Sequence, residues 1–372
     1  MDDYKYHGAD LSILVELFLR RFWNWCMLFL PEWIAPNLVT TIGFVFLISN
    51  FILGLFLCGF GNPCDCNPGS AYFFLCAWNV FFYQLMDNLD GKQARRTGSS
   101  SALGELFDHG CDSLFITSMT ISLGSALRMN PTECFYLLSF GVFIFYAAHW
   151  EEFHTNKLVL GKYANPTEGQ VGMMIILIIA GIFGPEFYTT PFGLPGVLSS
   201  LNITKCIVIF TALGCAYCLI DNGIKVLKWS SHQAKPGDST LYRYYYAFSP
   251  ILPILLHQML ILAWGNWSPS NIITTKPIMF YLFNGFISSF LCNELVVCRV
   301  TKMPFGPFRP ILLFPVGAVV NLFLRSPIAE SLFLDVSVVL ILIIYTYVHT
   351  SIVLQLAYAL KIKVFKLTPK QQ

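Results

Sequence analysis

Ten apolar segments, joined by short polar connections, constrain the fold of this chain more than any other feature. A helix that crosses a bilayer needs about 20 largely apolar residues, and its backbone groups must be paired within the segment. The segments lie near residues 38–60, 71–89, 103–128, 134–154, 171–185, 205–224, 246–264, 277–297, 308–325 and 332–360. Together with 55% hydrophobic and 12% charged residues, they predict an all-α fold, a polytopic membrane bundle of about ten transmembrane helices.

An amphipathic stretch at residues 10–29 precedes the first apolar segment. On a helix, Glu16 and Arg20 share one side. The apolar residues of the other side are Leu11, Leu14, Val15, Leu17, Phe18 and Phe22. We therefore predict an N-terminal interfacial helix that lies along the membrane surface instead of crossing it.

The distribution of basic residues predicts the orientation. Lysine and arginine accumulate in cytosolic loops. With both termini in the cytosol, only four of the 23 basic residues fall on the opposite side, namely Arg128, Lys205, Lys276 and Arg325. The net charge of +2 comes without a compact basic patch that interleaves aromatic residues, so we expect no nucleic-acid partner.

A polar stretch at residues 83–113 interrupts this apolar pattern and carries four aspartates. Asp87 and Asp90 lie three residues apart, and Asp108 and Asp112 lie four apart, so each pair shares one face of its own helix. The polar run between the pairs predicts a bend that turns the two faces toward each other. Four carboxylates then converge on one point.

Carboxylates at membrane depth need compensating charge, and divalent cations supply it. Oxygen ligands favour Mg²⁺ or Mn²⁺, and paired carboxylates from two helices suit a centre of two ions that clamps a phosphoryl group. Lys92, Arg95 and Arg96 are expected on the connecting loop, where they could hold phosphate oxygens. The combination indicates a phosphoanhydride substrate.

Eight residues of this stretch resemble, without a departure, the signature of the CDP-alcohol phosphotransferase family: Asp87-x2-Asp90-Gly91-x2-Ala94-Arg95-x8-Gly104-x3-Asp108-x3-Asp112. The longer runs APNLVTTIGF, QARRTGSSSALGELFDHGCDS and HWEEFHT are similar to the choline/ethanolamine phosphotransferase branch. The detailed resemblance covers residues 30–170.

This resemblance implies a reaction and its ligands. It implies transfer of phosphoethanolamine or phosphocholine from CDP-ethanolamine or CDP-choline to diacylglycerol, in a homodimer of the endoplasmic reticulum membrane, with the Golgi as the alternative. It implies two Mg²⁺ or Mn²⁺ ions on Asp87, Asp90, Asp108 and Asp112. The implied nucleotide contacts are Asn37, Gly91, Ala94 and Arg95, of which Gly91 and Ala94 leave room and Arg95 holds the nucleotide.

The general base is predicted from proximity. His109 follows a predicted metal ligand, and Glu105 lies one helical turn before it, where it can orient the ring. We favour His109 as the base, with Asp108 as the alternative. Downstream, Trp150 is predicted either as an interfacial anchor or as a contact for the amino-alcohol cation, with Glu151 or Glu152 adding charge.

Four segments are predicted along the chain. Residues 1–36 form a cytosolic segment with the interfacial helix, 37–225 the catalytic core, 226–360 the C-terminal transmembrane helices, and 361–372 a cytosolic tail. Cys64 and Cys66 share a polar loop, but their spacing suits neither zinc nor a disulfide, so we expect an ordinary loop there.

Other functions remain open at this stage. Within the same family, the acceptor could be inositol or glycerol phosphate. A divalent-cation transporter also places acids inside the membrane, and a catalytically silent scaffold is a third hypothesis. No residue distinguishes ethanolamine from choline.

Overall fold

The chain folds almost entirely into helices. The structure is a computed structural model that describes residues 8–161, 165–233 and 239–367. Within these residues the α-helices are α1 (Arg20–Cys26), α2 (Pro36–Cys58), α3 (Ser70–Thr97), α4 (Ala102–Ala126), α5 (Pro131–Thr155), α6 (Pro166–Phe183), α7 (Glu186–Thr189), α8 (Ile203–His232), α9 (Thr240–Phe248), α10 (Leu252–Trp267), α11 (Ile272–Thr275), α12 (Pro277–Thr301), α13 (Leu313–Phe323) and α14 (Glu330–Leu360).

Every predicted apolar segment coincides with a helix, which confirms the polytopic helical bundle. Among the described residues, seven helices are long and apolar enough to cross a membrane: α2, α5, α6, α8, the continuous stretch Thr240–Trp267, α12 and α14. Helices α3 and α4 carry the acidic groups, and Pro310–Phe323 is shorter than a usual span. The chain is therefore a multi-pass membrane protein, and the count of ten crossings stays a prediction.

Helix α2 is the support for the acidic helices. Both α3 and α4 pack along it, α6 packs along α3, and α8 packs along α5. Glycines allow the close approach of α2 and α3. A Cβ at Gly43 would lie 2.7 Å from the Met86 Cβ, and one at Gly54 would lie 2.6 Å from the Tyr72 hydroxyl.

Helix α12 joins the C-terminal helices to this group by packing against α4, α5 and α14. Polar contacts hold the joint, since the hydroxyls of Ser113 and Ser289 are 2.5 Å apart and Asn293 Nδ2 donates to the Tyr345 hydroxyl at 2.9 Å. The predicted boundary at residue 225 falls inside α8.

The N-terminal segment folds against α2 and α3. A π-type turn at Val15–Leu19 leads into α1, where Val15 and Trp23 are buried while Leu17, Phe18 and Trp25 are exposed. An apolar face left outward is what an interfacial helix presents. The short strands β1 (Gly8–Asp10) and β2 (Leu158–Leu160) pair in parallel, an addition to the predicted all-α fold.

A disulfide bond closes the polar loop after α2. Cys66 forms a disulfide with Cys58, the last residue of α2. The sequence predicted an ordinary loop because Cys58 belongs to an apolar segment and did not register as a partner. The bond ties the later part of this loop, just before α3, back to the end of α2.

Candidate active site

A cavity of about 2340 Å³ contains all four aspartates. Its wall follows α4 from Gly104 to Leu127, a length of about 34 Å at 1.5 Å per residue. The first turns of α4 contribute polar groups, and the later turns contribute apolar ones. The apolar residues beyond the aspartates include Phe115, Met119, Leu123, Leu127, Ile176, Phe210 and Leu213. One continuous space therefore joins a charged end to an apolar end.

The bend between the acidic helices is shorter than predicted. Residues 91–97 continue α3, because Lys, Gln, Ala and Arg are good helix formers. Gly98 then adopts the left-handed conformation, with φ +63°. The Ser101 hydroxyl caps α4 by accepting from the Gly104 N–H at 3.2 Å. Only residues 98–101 separate the two helices.

This geometry corrects the placement of the three basic residues, which lie on α3 and not on a loop. Lys92 Nζ donates to Asn24 Oδ1 at 2.8 Å, and Arg96 Nη1 donates to the Met27 carbonyl at 2.9 Å. Both residues therefore hold the N-terminal segment. Arg95 alone of the three lines the cavity.

The aspartates meet as the spacing predicted, and their hydrogen bonds differ. Asp90 accepts from the Thr40 hydroxyl, and Asp112 accepts from the Tyr83 hydroxyl at 2.8 Å. Asp87 and Asp108 each keep one buried carboxylate oxygen that has no hydrogen-bond partner among the described residues. Unpaired buried oxygens are costly unless a cation coordinates them. An all-oxygen set of this kind suits Mg²⁺ or Mn²⁺.

His109 lies beside the aspartates, but Glu105 does not hydrogen-bond it. Glu105 Oε1 is 3.8 Å from His109 Nε2, and Asp112 Oδ2 is 3.9 Å from His109 Nδ1, both beyond a hydrogen bond. The ring lies edge to face with His149, with centroids 4.7 Å apart. His109 is thus buried among carboxylates and the imidazole ring of His149.

Arg299 of α12 forms ion pairs with two glutamates next to His109, Glu105 and Glu152. Its guanidinium contacts Glu105 and lies 3.3 Å from Glu152 Oε1. The side chains of Glu105 and Glu152 are 4% and 1% exposed, and that of Arg299 is 10% exposed. At this burial the two carboxylates need the guanidinium charge.

The structure corrects the predicted roles of Trp150, Glu151 and Glu152 at the end of α5. Trp150 is buried and donates its indole N–H to the Ala247 carbonyl at 2.9 Å, so it packs α5 against α9. It is neither an interfacial anchor nor part of the cavity wall. Glu151 pairs with Lys225 of α8 at 3.0 Å. Glu152 joins His109 and His149 in a buried group whose ligand atoms lie within 4.8 Å of one another.

The predicted nucleotide contacts all line the cavity, namely Asn37, Gly91, Ala94 and Arg95. A Cβ at Gly91 would lie 3.5 Å from Arg95 Nη1, and one at Gly104 would lie 3.5 Å from Asn37 Oδ1. The glycines thus keep the space beside Arg95 and Asn37 open. Asn37 also donates its Nδ2 to the Val364 carbonyl at 2.9 Å.

Three contributors escaped the sequence reasoning: Thr40, Tyr83 and Arg299. A threonine in an apolar helix usually bonds the backbone of its own helix, and a tyrosine there usually packs in the core, so Thr40 and Tyr83 carried no signal. Arg299 lies 194 positions from Glu105, outside the stretch with the acidic pattern. A basic residue at the end of an apolar helix normally suggests only an interfacial position.

Comparison with known proteins adds an independent finding. The model of the CDP-alcohol phosphatidyltransferase family matches residues 33–203. An uncharacterized CDP-alcohol phosphatidyltransferase class-I family protein 2 of Dictyostelium discoideum is 35% identical over 87% of this chain and 74% of its own. Cholinephosphotransferase 1 of Xenopus laevis is 31% identical over 100% of this chain and 90% of its own. Choline/ethanolaminephosphotransferase 1 of Arabidopsis thaliana is 29% identical, with 99% and 96% covered.

The contacts of Arg299 generate a stability prediction. Arg299→Met leaves two buried carboxylates without their guanidinium and is expected to cost about 3–5 kcal/mol. Combining Arg299→Met with Glu105→Gln removes one of the two carboxylates that lack a partner in the single variant, so part of the lost stability should be recovered. Thermal unfolding of the detergent-solubilised variants measures both effects. A double variant no more stable than Arg299→Met would contradict the ion pair.

Proposed function

Because the chain belongs to the CDP-alcohol phosphatidyltransferase family, we propose that it transfers phosphoethanolamine or phosphocholine from a CDP ester to diacylglycerol and releases CMP. One observation carries the proposal: the four aspartates line the same cavity as a long apolar wall. The charged end suits a nucleotide diphosphate, and the apolar end suits a lipid. The names of the Xenopus and Arabidopsis relatives support this choice of substrates.

Asp87, Asp90, Asp108 and Asp112 are the residues that would hold two Mg²⁺ or Mn²⁺ ions. Asp87 and Asp108 each have a buried oxygen that finds no hydrogen-bond partner in the described part of the chain, and this, with the all-oxygen donor set, supports the fit. When bound, the ions neutralise the diphosphate and stabilise the charge that develops on departing CMP. Thr40 and Tyr83 orient Asp90 and Asp112 from outside the proposed ligand set.

The nucleotide would lie at the cavity mouth. Gly91 and Ala94 leave room there, and Arg95 holds a phosphate with its planar guanidinium. The Arg95 side chain is exposed, so it is available to a ligand that arrives from the aqueous side. Asn37 presents its Oδ1 toward Gly104, where an N–H or amino group of the ligand can donate to it.

The lipid acceptor would occupy the apolar end. Phe210 of α8 lines the cavity and is 78% exposed, so the cavity is open beside α8 to the surrounding bilayer. A lipid alcohol can then place its chains along the apolar turns of α4 and its hydroxyl near the aspartates. This wall fits diacylglycerol better than a water-soluble acceptor such as inositol or glycerol phosphate.

The proposed reaction is a direct displacement at phosphorus. The acceptor oxygen forms a bond to the phosphorus that carries the amino alcohol, and the bond from that phosphorus to the CMP oxygen breaks. The hydroxyl proton passes to His109 Nδ1, the nitrogen on the side of Asp112. Glu105, beside Nε2, stabilises the imidazolium that results. Asp108 is the alternative base.

Two separate observations support a site that faces the cytosol. The basic residues favour cytosolic termini. The Cys58–Cys66 disulfide lies at the end of α2 opposite to Thr40, about 27 Å away along the helix. Disulfides persist in oxidising compartments, which favours a lumenal position for this loop. The homodimer implied by the sequence resemblance stays a prediction.

A reconstituted assay tests the proposal. Purified protein in liposomes that contain diacylglycerol is supplied with Mg²⁺ or Mn²⁺ and with CDP-ethanolamine or CDP-choline in parallel. We expect CMP and a phospholipid to form in equal amounts, no reaction with EDTA, and no reaction in Asp108→Asn. The product ratio identifies the headgroup. Cation flux without CMP release would instead establish the transporter alternative.

The role of His109 predicts a specific kinetic loss. His109→Ala removes the proton acceptor and should lower kcat by about 10²–10⁴-fold. The affinity for the CDP ester should change little, because no nucleotide contact is assigned to His109. His232→Ala, at the exposed end of α8 and outside the cavity wall, is the matched control. Near-normal turnover in His109→Ala would transfer the role to Asp108.

A further inference from the structure

The chain that follows α14 forms part of the wall of the active-site cavity. The described part of this tail, residues 361–367, is called the C-terminal strap. Three of its lysines line the same cavity as Arg95 and the aspartates: Lys361, Lys363 and Lys366. All three are exposed. The predicted cytosolic tail thus includes a stretch that belongs to the cavity wall.

A turn at the end of α14 directs the strap. Lys361 adopts the left-handed conformation with φ +54°, and the Ile362 N–H donates to the Ala357 carbonyl at 3.0 Å. This arrangement ends the helix sharply. The chain then leaves the axis of α14 and runs toward α4.

Apolar contacts fasten the strap to α4. Ile362 and Val364 pack against a buried cluster that joins α4, α12 and α14, formed by Leu103, Leu106, Val296, Leu356 and Ala357. Phe365 meets Phe107 in a T-shaped contact, with ring centroids 5.7 Å apart. Residues 362 and 364 face this buried cluster and residues 361 and 363 are exposed, the alternation of an extended chain. The packing of one face therefore presents Lys361 and Lys363 on the other.

A polar contact fixes the strap to the nucleotide end of the cavity. Asn37 Nδ2 donates to the Val364 carbonyl at 2.9 Å. Asn37 lies at the start of α2, three residues before Thr40, which bonds Asp90. The lysines of the strap are thereby anchored on the same short segment of α2 that orients one predicted metal ligand.

We infer that the C-terminal strap is part of the nucleotide site, where its lysines bind the diphosphate of the CDP ester. The inference deepens the proposed function and rests on it for the identity of the ligand. Charge-assisted hydrogen bonds to phosphate oxygens are strong, and ammonium groups on an anchored segment can add such bonds to that of Arg95. Anionic membrane lipid is the competing ligand for a basic tail. Anchorage on Asn37 and the shared cavity wall favour the nucleotide.

The test compares two triple variants. Lys361→Gln/Lys363→Gln/Lys366→Gln removes the strap charges, while Lys157→Gln/Lys228→Gln/Lys302→Gln removes three exposed charges outside the cavity wall and serves as the control. Equilibrium binding of radiolabelled CDP-ethanolamine and CDP-choline is measured in nanodiscs without anionic lipid. We expect the strap variant to bind the better ligand about tenfold more weakly or worse, with a smaller dependence on salt, and the control variant to match the unchanged protein.

Steady-state kinetics distinguish the role of the C-terminal strap from the proposed function. In the strap variant, KM for the CDP ester should rise while KM for diacylglycerol stays unchanged. Equal nucleotide affinity in the strap and unchanged proteins would overturn the inference, as would a defect that appears only in membranes with phosphatidylserine. Binding of the CDP ester without CMP release by the unchanged protein would overturn the proposed function and leave the affinity comparison valid.

Discussion

Four carboxylates repel one another inside this membrane protein, and the structure depends on the compensation of their charge. Charges held away from water are tolerated only where opposite charge or hydrogen bonds meet them. Asp90 and Asp112 are each satisfied in part by a hydroxyl, whereas Asp87 and Asp108 keep buried oxygens without such a partner in the described chain. The remaining compensation is the role we assign to divalent cations. In this account the fold provides the acids, and the ligand completes the site.

The C-terminal helices extend that compensation beyond the region matched by the family model, residues 33–203. Arg299 of α12 forms ion pairs with Glu105 and Glu152 next to His109, and the C-terminal strap places lysines in the wall of the cavity. Helices that would otherwise be additional membrane spans therefore contribute charge to the site. A core of residues 37–225 alone would lack both contributions.

Local patterns were predictable from the sequence, and long-range contacts were not. The spacing of Asp87, Asp90, Asp108 and Asp112 indicates their convergence because helical periodicity acts over a few residues. The contact between Asn37 and Val364 joins positions 327 apart, which no local pattern reveals. The length of α3 was underestimated because polarity suggested a loop, although Lys92 to Arg96 are mostly good helix formers. Glu105 was predicted from spacing to orient His109, yet its carboxylate contacts Arg299, 194 positions away, and lies beyond hydrogen-bond distance of the ring.

The central claim is that the four aspartates form a centre for two divalent ions. The direct measurement is Mn²⁺ binding to the purified protein in nanodiscs with CMP present, followed by electron paramagnetic resonance. The account predicts two Mn²⁺ per chain with a spin-coupled spectrum, and loss of that spectrum in Asp108→Asn. Binding no greater than in a variant with all four aspartates changed to asparagine would contradict it.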